Sequence, residues 1–402
     1  MYNTRIMGES KKQKIVIIGA GFGGIKAGLI LSKDPRFDVT IVNDKDTFRY
    51  YPRLYHTATG GNSKETSILL SSIFENHDID IVIGKVSKIN RKNKTFKTTA
   101  GKTISYDKAI IALGVVTNYF GIEGLQEFSY GIKSKEEAER LKSHLHKTLI
   151  DDGHPDRHYV VIGAGPTGIE LSGQLAFYMK DLLKNHGIKN KKIKIDLIEA
   201  APRVLPTLSE QTSIAVTNRL KSIGINVMTN KAVQSENIDS LMVSGKPIKS
   251  HTVVWTAGVT NNPFFKENDF KLNERGKVVV DRYLQAEQDI FVIGDNAATQ
   301  YSGMAQTALQ NAVLVSENLI RLASGKSMIM DVPKMPVSVI PAGKQWAAVI
   351  WGKIKLYGWL GWVLREAADY IAFHDLQPWW KAGAQWTTEF LKDDQCPICD
   401  KK

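Results

Sequence analysis

The segment Lys14-Ile-Val-Ile-Ile-Gly19-Ala-Gly21-Phe-Gly-Gly24 is compatible with few folds. Ile15 to Ile18 is an apolar, β-branched run of the kind found in a strand buried on both faces. Gly19-x-Gly21-x-x-Gly24 follows at once, and a helix-compatible stretch then runs to about Ser32. Strand, glycine turn and helix in that order form the context a dinucleotide fingerprint requires. Gly19 permits the tight turn, Gly21 lets backbone approach a pyrophosphate, and Gly24 lets the helix pack closely on the strand. The pyrophosphate then lies at a helix N-terminus, where unpaired N–H groups and the helix dipole favour negative charge. The device is repeated in His158-Tyr-Val-Val-Ile-Gly163-Ala-Gly165-Pro-Thr-Gly168-Ile-Glu170. Two such turns point to an α/β chain with two Rossmann-type domains and two bound dinucleotides.

A length of 402 residues suits two or three domains, and 43% hydrophobic with 23% charged residues describes an ordinary globular chain. No signal peptide is read at the N-terminus, where polar and basic residues lead into the first strand, and no apolar stretch of membrane-spanning length is present. The net charge of +12 fits either an anionic surface or simple solubility. A nucleic-acid partner is not expected. The only two cysteines, Cys396 and Cys399, rule out a disulfide framework and body-dithiol chemistry and fit a cytosolic compartment.

Along the chain, residues 1–13 read as an arm and Val39–Val42 as the second strand. Asn43 stands where a ribose-binding acid is expected, with Asp44 next to it. Phe48 to Gly61 is aromatic and turn-rich, and is read as lining a pocket, with filling of a core as the alternative. Ile79–Ile83, Val86–Asn90, Thr95–Thr99 and Thr103–Tyr106 read as an inserted meander. A buried strand then ends at Ala112-Leu113-Gly114, and a helix is expected over Ser134–Thr148. Ile193 to Glu199 is a strand that does end in an acid. Glu199 would accept from both ribose hydroxyls and repel a 2′-phosphate, with Arg203 near enough to complicate the choice. Residues 213–223 read as a helix and His251–Val259 as the closing strand. Ile290 to Asp295 is an apolar strand ending in Gly294-Asp295. The helix expected over about 304–323 carries Gln306 and Gln310 on one face.

Taken together, these pieces resemble the two-dinucleotide-binding flavoproteins of the pyridine nucleotide-disulfide oxidoreductase superfamily. Within that group the chain is most similar to type II NADH dehydrogenases, the non-pumping NADH:quinone oxidoreductases. The resemblance spans about residues 14–375. It rests on the two fingerprints, Ala112-Leu113-Gly114, Gly294-Asp295, Phe48 to Gly61, Trp255-x-Ala257-Gly258 and Ala305-Gln306-x-Ala308-x-Gln310. It implies FAD in an outer domain (14–125 and 269–328), NADH in an inserted domain (126–268) and a C-terminal region (329–402) that anchors to the membrane. It places Asp295 on the flavin ribityl chain, the helix start at Ala305 beside the flavin, and Gln306 and Gln310 beside a quinone tunnel. It places Glu170 near nicotinamide and flavin, in the first turn after Gly168, where it could relay protons or position NADH. Several relatives carry a second acid where this chain has Gln174, which puts any carboxylate-pair mechanism in doubt.

Leu356–Phe373 reads as one helix, with Gly358, Gly361, Arg365, Glu366 and Asp369 on one side and aromatic and aliphatic residues on the rest. Charges at mid-helix argue against a span, while the wide apolar cover beside Lys353 and Lys355 suits a helix lying in the interface. A core helix or a homodimer helix remains the alternative. Cys396-Pro-Ile-Cys399 is at most half of a tetrahedral metal site. It is read as a free reduced hook, so no metal is expected. The resulting expectation is a peripheral protein on the cytoplasmic face of the cell membrane that passes hydride from NADH to FAD and electrons to a membrane quinone. Sulfide:quinone reduction, oxidase activity and a non-turning-over sensor of NADH and membrane are the rival readings.

Overall fold

Gln13–Ile18 lies inside a six-stranded sheet, with Phe37–Asn43 and Lys108–Ile111 as its parallel neighbours. In this computed structural model of the protein, residues 11–61, 66–150, 157–188 and 192–387 are described. Cys396 and Cys399 lie outside them, as do residues 1–10 of the arm. Five helices carry the argument: α1 (Phe22–Leu31), α2 (Pro166–Asn185), α3 (Ala305–Ala323), α4 (Trp359–His374) and α5 (Trp379–Thr387).

The chain divides into two compact units. The first contains residues up to Phe48, Ile68–Val116 and Thr260–Pro336. Its sheet runs Gln285–Glu287, Ile290–Val292, Lys108–Ile111, Gln13–Ile18, Phe37–Asn43, Asp80–Ile83. Only the first pair is antiparallel. Ile15 to Ile18 are buried, as a two-sided strand requires. Asp80–Ile83 extends this sheet instead of joining the expected meander, because Thr40–Asn43 offers it a parallel edge. The meander proper is Val86–Asn90, Thr95–Thr98 and Thr103–Ser105, and Phe96 from it enters the core with Phe264, Phe265 and Phe270.

The second unit contains Arg49–Ser67, Thr117–Val259 and the chain from Val337. Its four-stranded sheet runs Ile225–Met228, Lys194–Ile198, His158–Ile162, Thr252–Trp255, and every pair is parallel. A three-stranded antiparallel sheet, Ser338–Pro341, Ala347–Trp351 and Ile354–Gly358, follows in the same unit. Leu356 and Tyr357 are therefore strand, and the expected helix starts only at Trp359. Pairing of Leu356 with Val349 outweighs the helical pattern there. Ile340, Ala342 and Ala348 share a core with Ile169 and Leu175 of α2. The C-terminal region is thus part of the second unit's core, and a cut at Pro341 would open that core. Among the described residues no helix is long and apolar enough to cross a membrane.

Asp196 shows how the second sheet is held together. It is fully buried. Its Oδ2 meets His158 Nε2 at 2.7 Å and accepts from Lys194 Nζ at 2.9 Å, while Oδ1 accepts from Asn226 Nδ2 at 2.9 Å. Burial alone would raise its pKa, but these three partners outweigh burial and bring it down to about 2. A carboxylate depressed in the folded state stabilises above its unfolded pKa and loses that contribution as pH falls through the folded value. Asp196 should therefore contribute about 2 kcal/mol near neutrality, lost between roughly pH 4 and 2. Asp196→Asn should cost on the order of 3 kcal/mol at pH 7 and remove that acid-dependent part. Urea unfolding at pH 7 and pH 3 checks both, and an unchanged midpoint at pH 7 would contradict the account.

Candidate functional site

In the first unit the glycine turn has the geometry its sequence requires. Gly19 sits at φ +101°. A Cβ there would overlap the Ala112 carbonyl, and one on Gly24 would overlap the carbonyl of Gly19. A Cβ on Gly21 would meet no protein atom within 4 Å, so this face of the turn is open to a ligand. Asn43 braces the turn, accepting from Ala20 N–H at 2.9 Å and donating to the Lys45 carbonyl at 2.8 Å. Its carbonyl oxygen keeps a second lone pair. Asp44 is exposed beside it. α1 has no side-chain cap and no acid in its first turn, so no side-chain charge offsets the positive end of its dipole.

The same unit joins Ala112-Leu113-Gly114 to Gly294-Asp295 through a residue the sequence did not single out. Asn296, fully buried, accepts from Gly114 N–H at 2.8 Å. It donates to the Gly114 carbonyl and to Asn261 Oδ1, both at 2.6 Å. Gly294 N–H is held by Asn311 Oδ1 at 3.1 Å, and Asp295 accepts from Gly303 N–H at 3.1 Å. Only the Gly-Asp-Asn run hinted at this clamp. α3 starts at Ala305 with no side-chain cap from Met304 and no acid in its first turn. Gln306 is exposed on it and Gln310 is half-buried one turn later.

The second unit repeats the arrangement at Gly163, Gly165 and Gly168. Gly168 packs on the Gly163 carbonyl, and Gly165 again faces no protein atom within 4 Å. Here the brace is Glu199, which accepts from Ala164 N–H at 2.7 Å and from Ala201 N–H at 2.8 Å, with acceptor capacity left on both oxygens. Arg203 donates to the Leu205 and Pro206 carbonyls at 3.3 and 2.8 Å, so backbone already engages its guanidinium. Gly258 lies where a Cβ would overlap Phe120 and the Asn118 carbonyl, and Trp255 Nε1 donates to that carbonyl at 2.9 Å.

Glu170 is on α2, which starts at Pro166, so it opens the second turn and not the first. It is half-buried, and its pKa is pushed up to about 8. Burial is the main cause. Arg365 opposes it, Asp369 adds to it and Lys133 opposes it. Arg365 and Asp369 come from α4 and belong to a buried cluster. Asp369 accepts from Tyr50 Oη at 2.7 Å and from Arg53 Nε at 2.9 Å, and it also pairs with Arg365. Arg365 Nη2 donates to the Pro52 carbonyl at 3.2 Å, and Arg53 Nη2 lies 3.6 Å from Glu366. Burial raises the phenol pKa of Tyr55, and Glu170 and Asp369 push it the same way. The stretch from Tyr50 to Ala58, read as a pocket lining, is therefore largely core. Tyr50 and Arg53 hold α4, while Leu54 and Ala58 pack with Leu141 and Leu145.

α4 is inverted relative to an ordinary surface helix. Its Gly361, Arg365, Asp369 and Phe373 face inward. Trp359, Leu360, Val363, Leu364 and Ile371 face outward, with Trp359 59% exposed. Among the described residues no group of three or more His, Cys, Asp or Glu side chains could hold a metal ion.

Comparison with known proteins agrees with this geometry. The family model described as pyridine nucleotide-disulphide oxidoreductase matches residues 13–312. The type II NADH:quinone oxidoreductase of Staphylococcus saprophyticus is 28% identical over 339 residues, covering 78% of this chain and 84% of its own length. That of Staphylococcus aureus is 28% identical over 342 residues, covering 79% and 84%. The structure of NDH2 from Plasmodium falciparum in complex with NADH superposes with a TM-score of 0.85 at 18% identity, over 96% of this chain and 99% of that one. Sulfide:quinone oxidoreductase from Aquifex aeolicus superposes with a TM-score of 0.77 at 21% identity, over 93% and 92%. With the family model covering most of its length and both glycine turns built as described, the chain belongs to the pyridine nucleotide-disulphide oxidoreductase family.

Proposed function

We propose that the protein is a type II NADH:quinone oxidoreductase, in which two Rossmann-type units hold FAD and NADH. The observation that carries this reading is the pair of glycine turns whose Gly21 and Gly165 faces are open, each ahead of an uncapped helix. The similarity to the staphylococcal type II NADH:quinone oxidoreductases supports it and names the acceptor class.

FAD is assigned to the first unit. Gly19, Gly21 and Gly24 receive its pyrophosphate, Asn43 and Asp44 its ribose, and Asp295 its ribityl chain. Ala112 and Gly114 shape the wall that Asn296 clamps. The start of α3 at Ala305, which carries no acid in its first turn, turns its positive dipole end to the negative charge of the reduced ring. NADH is assigned to the second unit. There Gly163, Gly165 and Gly168 receive the pyrophosphate, Gly258 shapes the wall, and Glu199 accepts from the ribose hydroxyls while repelling a 2′-phosphate. When bound, FAD supplies a two-electron carrier between NADH and quinone. Glu170, mostly protonated at pH 7, holds a proton at its carboxyl for the quinone half of the reaction. Gln306 and Gln310 border the quinone. Sulfide oxidation is the weaker reading, since no cysteine occurs before Cys396.

The bilayer supplies the quinone, and the outward face of α4 together with Trp379 and Trp380 of α5 meets it from the cytoplasmic side. Inserted aromatic area gives the salt-resistant part of binding. Lys353 and Lys355 add roughly 1 kcal/mol each at an anionic surface, weakened by salt. In flotation with anionic liposomes the protein should rise with the vesicles, and high salt should loosen it without releasing it. Trp359→Glu with Leu360→Glu should release it with its FAD retained. A parent protein that stays at the bottom of the gradient would refute the membrane reading.

A further inference from the structure

Phe120, in the second unit, is exposed and strained at once. It packs edge to face against Trp255 at 6.2 Å, yet 62% of it remains open to solvent. Its φ is +53°, a region that a bulky residue enters only under constraint. Asn118 imposes the constraint. Its Oδ1 accepts from the Phe120 N–H at 2.9 Å. Its own N–H donates to the Gly258 carbonyl at 3.1 Å, and its carbonyl accepts from Trp255 Nε1 at 2.9 Å. Burial of the ring does not offset this strain, and strain of this kind gathers where a ligand is met.

The order of strands says which part of a dinucleotide the ring meets. His158–Ile162, which leads into the glycine turn, has Lys194–Ile198 on one side and Thr252–Trp255 on the other. Glu199, just after Lys194–Ile198, takes the adenosine ribose, and the turn takes the pyrophosphate. The nicotinamide half therefore continues toward the end of Thr252–Trp255, where Ala257 and Gly258 follow. A Cβ on Gly163 would overlap Ala257, and one on Gly258 would overlap the Phe120 ring. Gly163, Ala257, Gly258 and that ring thus follow one another in steps of roughly 4 Å. Phe120 also lines an open cleft of about 640 Å³, within the roughly 300–1,000 Å³ of small-molecule sites. Thr117, Asn118 and Gln126 give its lining hydroxyl and amide groups that suit a carboxamide, and Glu127 gives it a negative charge. An aromatic face beside a carboxylate favours a cation. The nicotinamide ring is a cation only when oxidised.

We infer that Phe120 and its cleft receive the nicotinamide ring and favour its oxidised, pyridinium form, so that Phe120 sets how tightly the product NAD⁺ is held. The inference rests on the NADH reading above and deepens it.

Phe120→Ala in full-length, FAD-loaded protein is the direct test. ADP-ribose is NAD⁺ without its nicotinamide ring, and neither compound reduces the oxidised flavin, so both are titrated at equilibrium by calorimetry. The measured quantity is the Kd of ADP-ribose divided by that of NAD⁺. The ratio should exceed one in the parent and fall roughly tenfold in Phe120→Ala, while ADP-ribose affinity, FAD content and thermal midpoint match the parent. Phe120→Tyr should keep the ratio. Phe120→Leu, which retains apolar bulk without an aromatic face, should lose it. Inhibition of turnover by NAD⁺ should weaken in Phe120→Ala by the same factor as its binding. A ratio that is unchanged in Phe120→Ala overturns the inference. So does an equal loss of both ligands, which would make Phe120 a support of the loop alone. A ratio that Phe120→Leu keeps would remove the preference for the cation. A parent that binds neither ligand would instead remove the NADH reading itself.

Discussion

Gly21→Ala should give a folded, nearly colourless protein, and Gly165→Ala should give a folded, yellow one that NADH reduces poorly. A Cβ at either position meets no protein atom within 4 Å, so neither change strains the turn it sits on. The methyl group occupies only the space where a pyrophosphate must approach backbone. We expect roughly a hundredfold loss of affinity for the dinucleotide concerned, about 2.7 kcal/mol. Gly21→Ala should lose FAD and keep the thermal stability of FAD-stripped parent. Gly165→Ala should keep FAD and raise the NADH concentration needed for half-maximal flavin bleaching by a similar factor. Gly19→Ala is the contrasting case. Its positive φ and the overlap with the Ala112 carbonyl damage the turn itself, so that variant should lose stability as well as FAD. If Gly21→Ala retains stoichiometric FAD, or Gly165→Ala binds NADH like the parent, that turn is structural only.

Glu170→Gln should leave reduction of the flavin by NADH nearly intact and slow quinone reduction by roughly a hundredfold, the usual range for loss of a positioned acid or base. The carboxyl, pushed up to about 8 mainly by burial, is largely protonated at neutral pH. In the parent the quinone half-reaction should decline as pH rises through about 8, where Glu170 loses the proton it supplies. The variant should show no such limb. Arg365 opposes the upward shift, so Arg365→Gln should move the limb to higher pH. Stability gives an independent check. An acid whose folded pKa is raised favours folding fully below its unfolded pKa, and that contribution is lost as pH rises through the folded value. Glu170→Gln should therefore be at least as stable as the parent at pH 8, which separates lost chemistry from lost fold. Equal slowing of both half-reactions would make Glu170 an NADH-positioning group.

Both glycine turns could be read in the sequence because Gly19 and Gly163 take a positive φ, Gly24 and Gly168 pack against a carbonyl, and the apolar runs beside them fit buried strands. The strands Phe37–Asn43 and Lys194–Ile198, the latter just ahead of Glu199, were legible from their apolar runs. What the sequence concealed lay in contacts distant along the chain. The pattern of α4 shows that Arg365 and Asp369 share a face, but periodicity does not say which face looks inward. That depends on Tyr50 and Arg53, more than 300 residues earlier, which satisfy the α4 charges in the core. The strand Ile354–Gly358 was masked by residues equally at home in a helix, until a hairpin with Ala347–Trp351 decided it. Asn296 looked like an ordinary turn residue because its partners, Gly114 and Asn261, lie elsewhere in the sequence.

The central claim is that one chain carries electrons from NADH to quinone. Steady-state NADH oxidation by purified, FAD-loaded protein, with and without a soluble quinone, tests it most directly. The account predicts slow oxidation without quinone, rapid oxidation with it at one quinone reduced per NADH, and a clear preference for NADH over NADPH. Oxidation at the same slow rate in both conditions would contradict it.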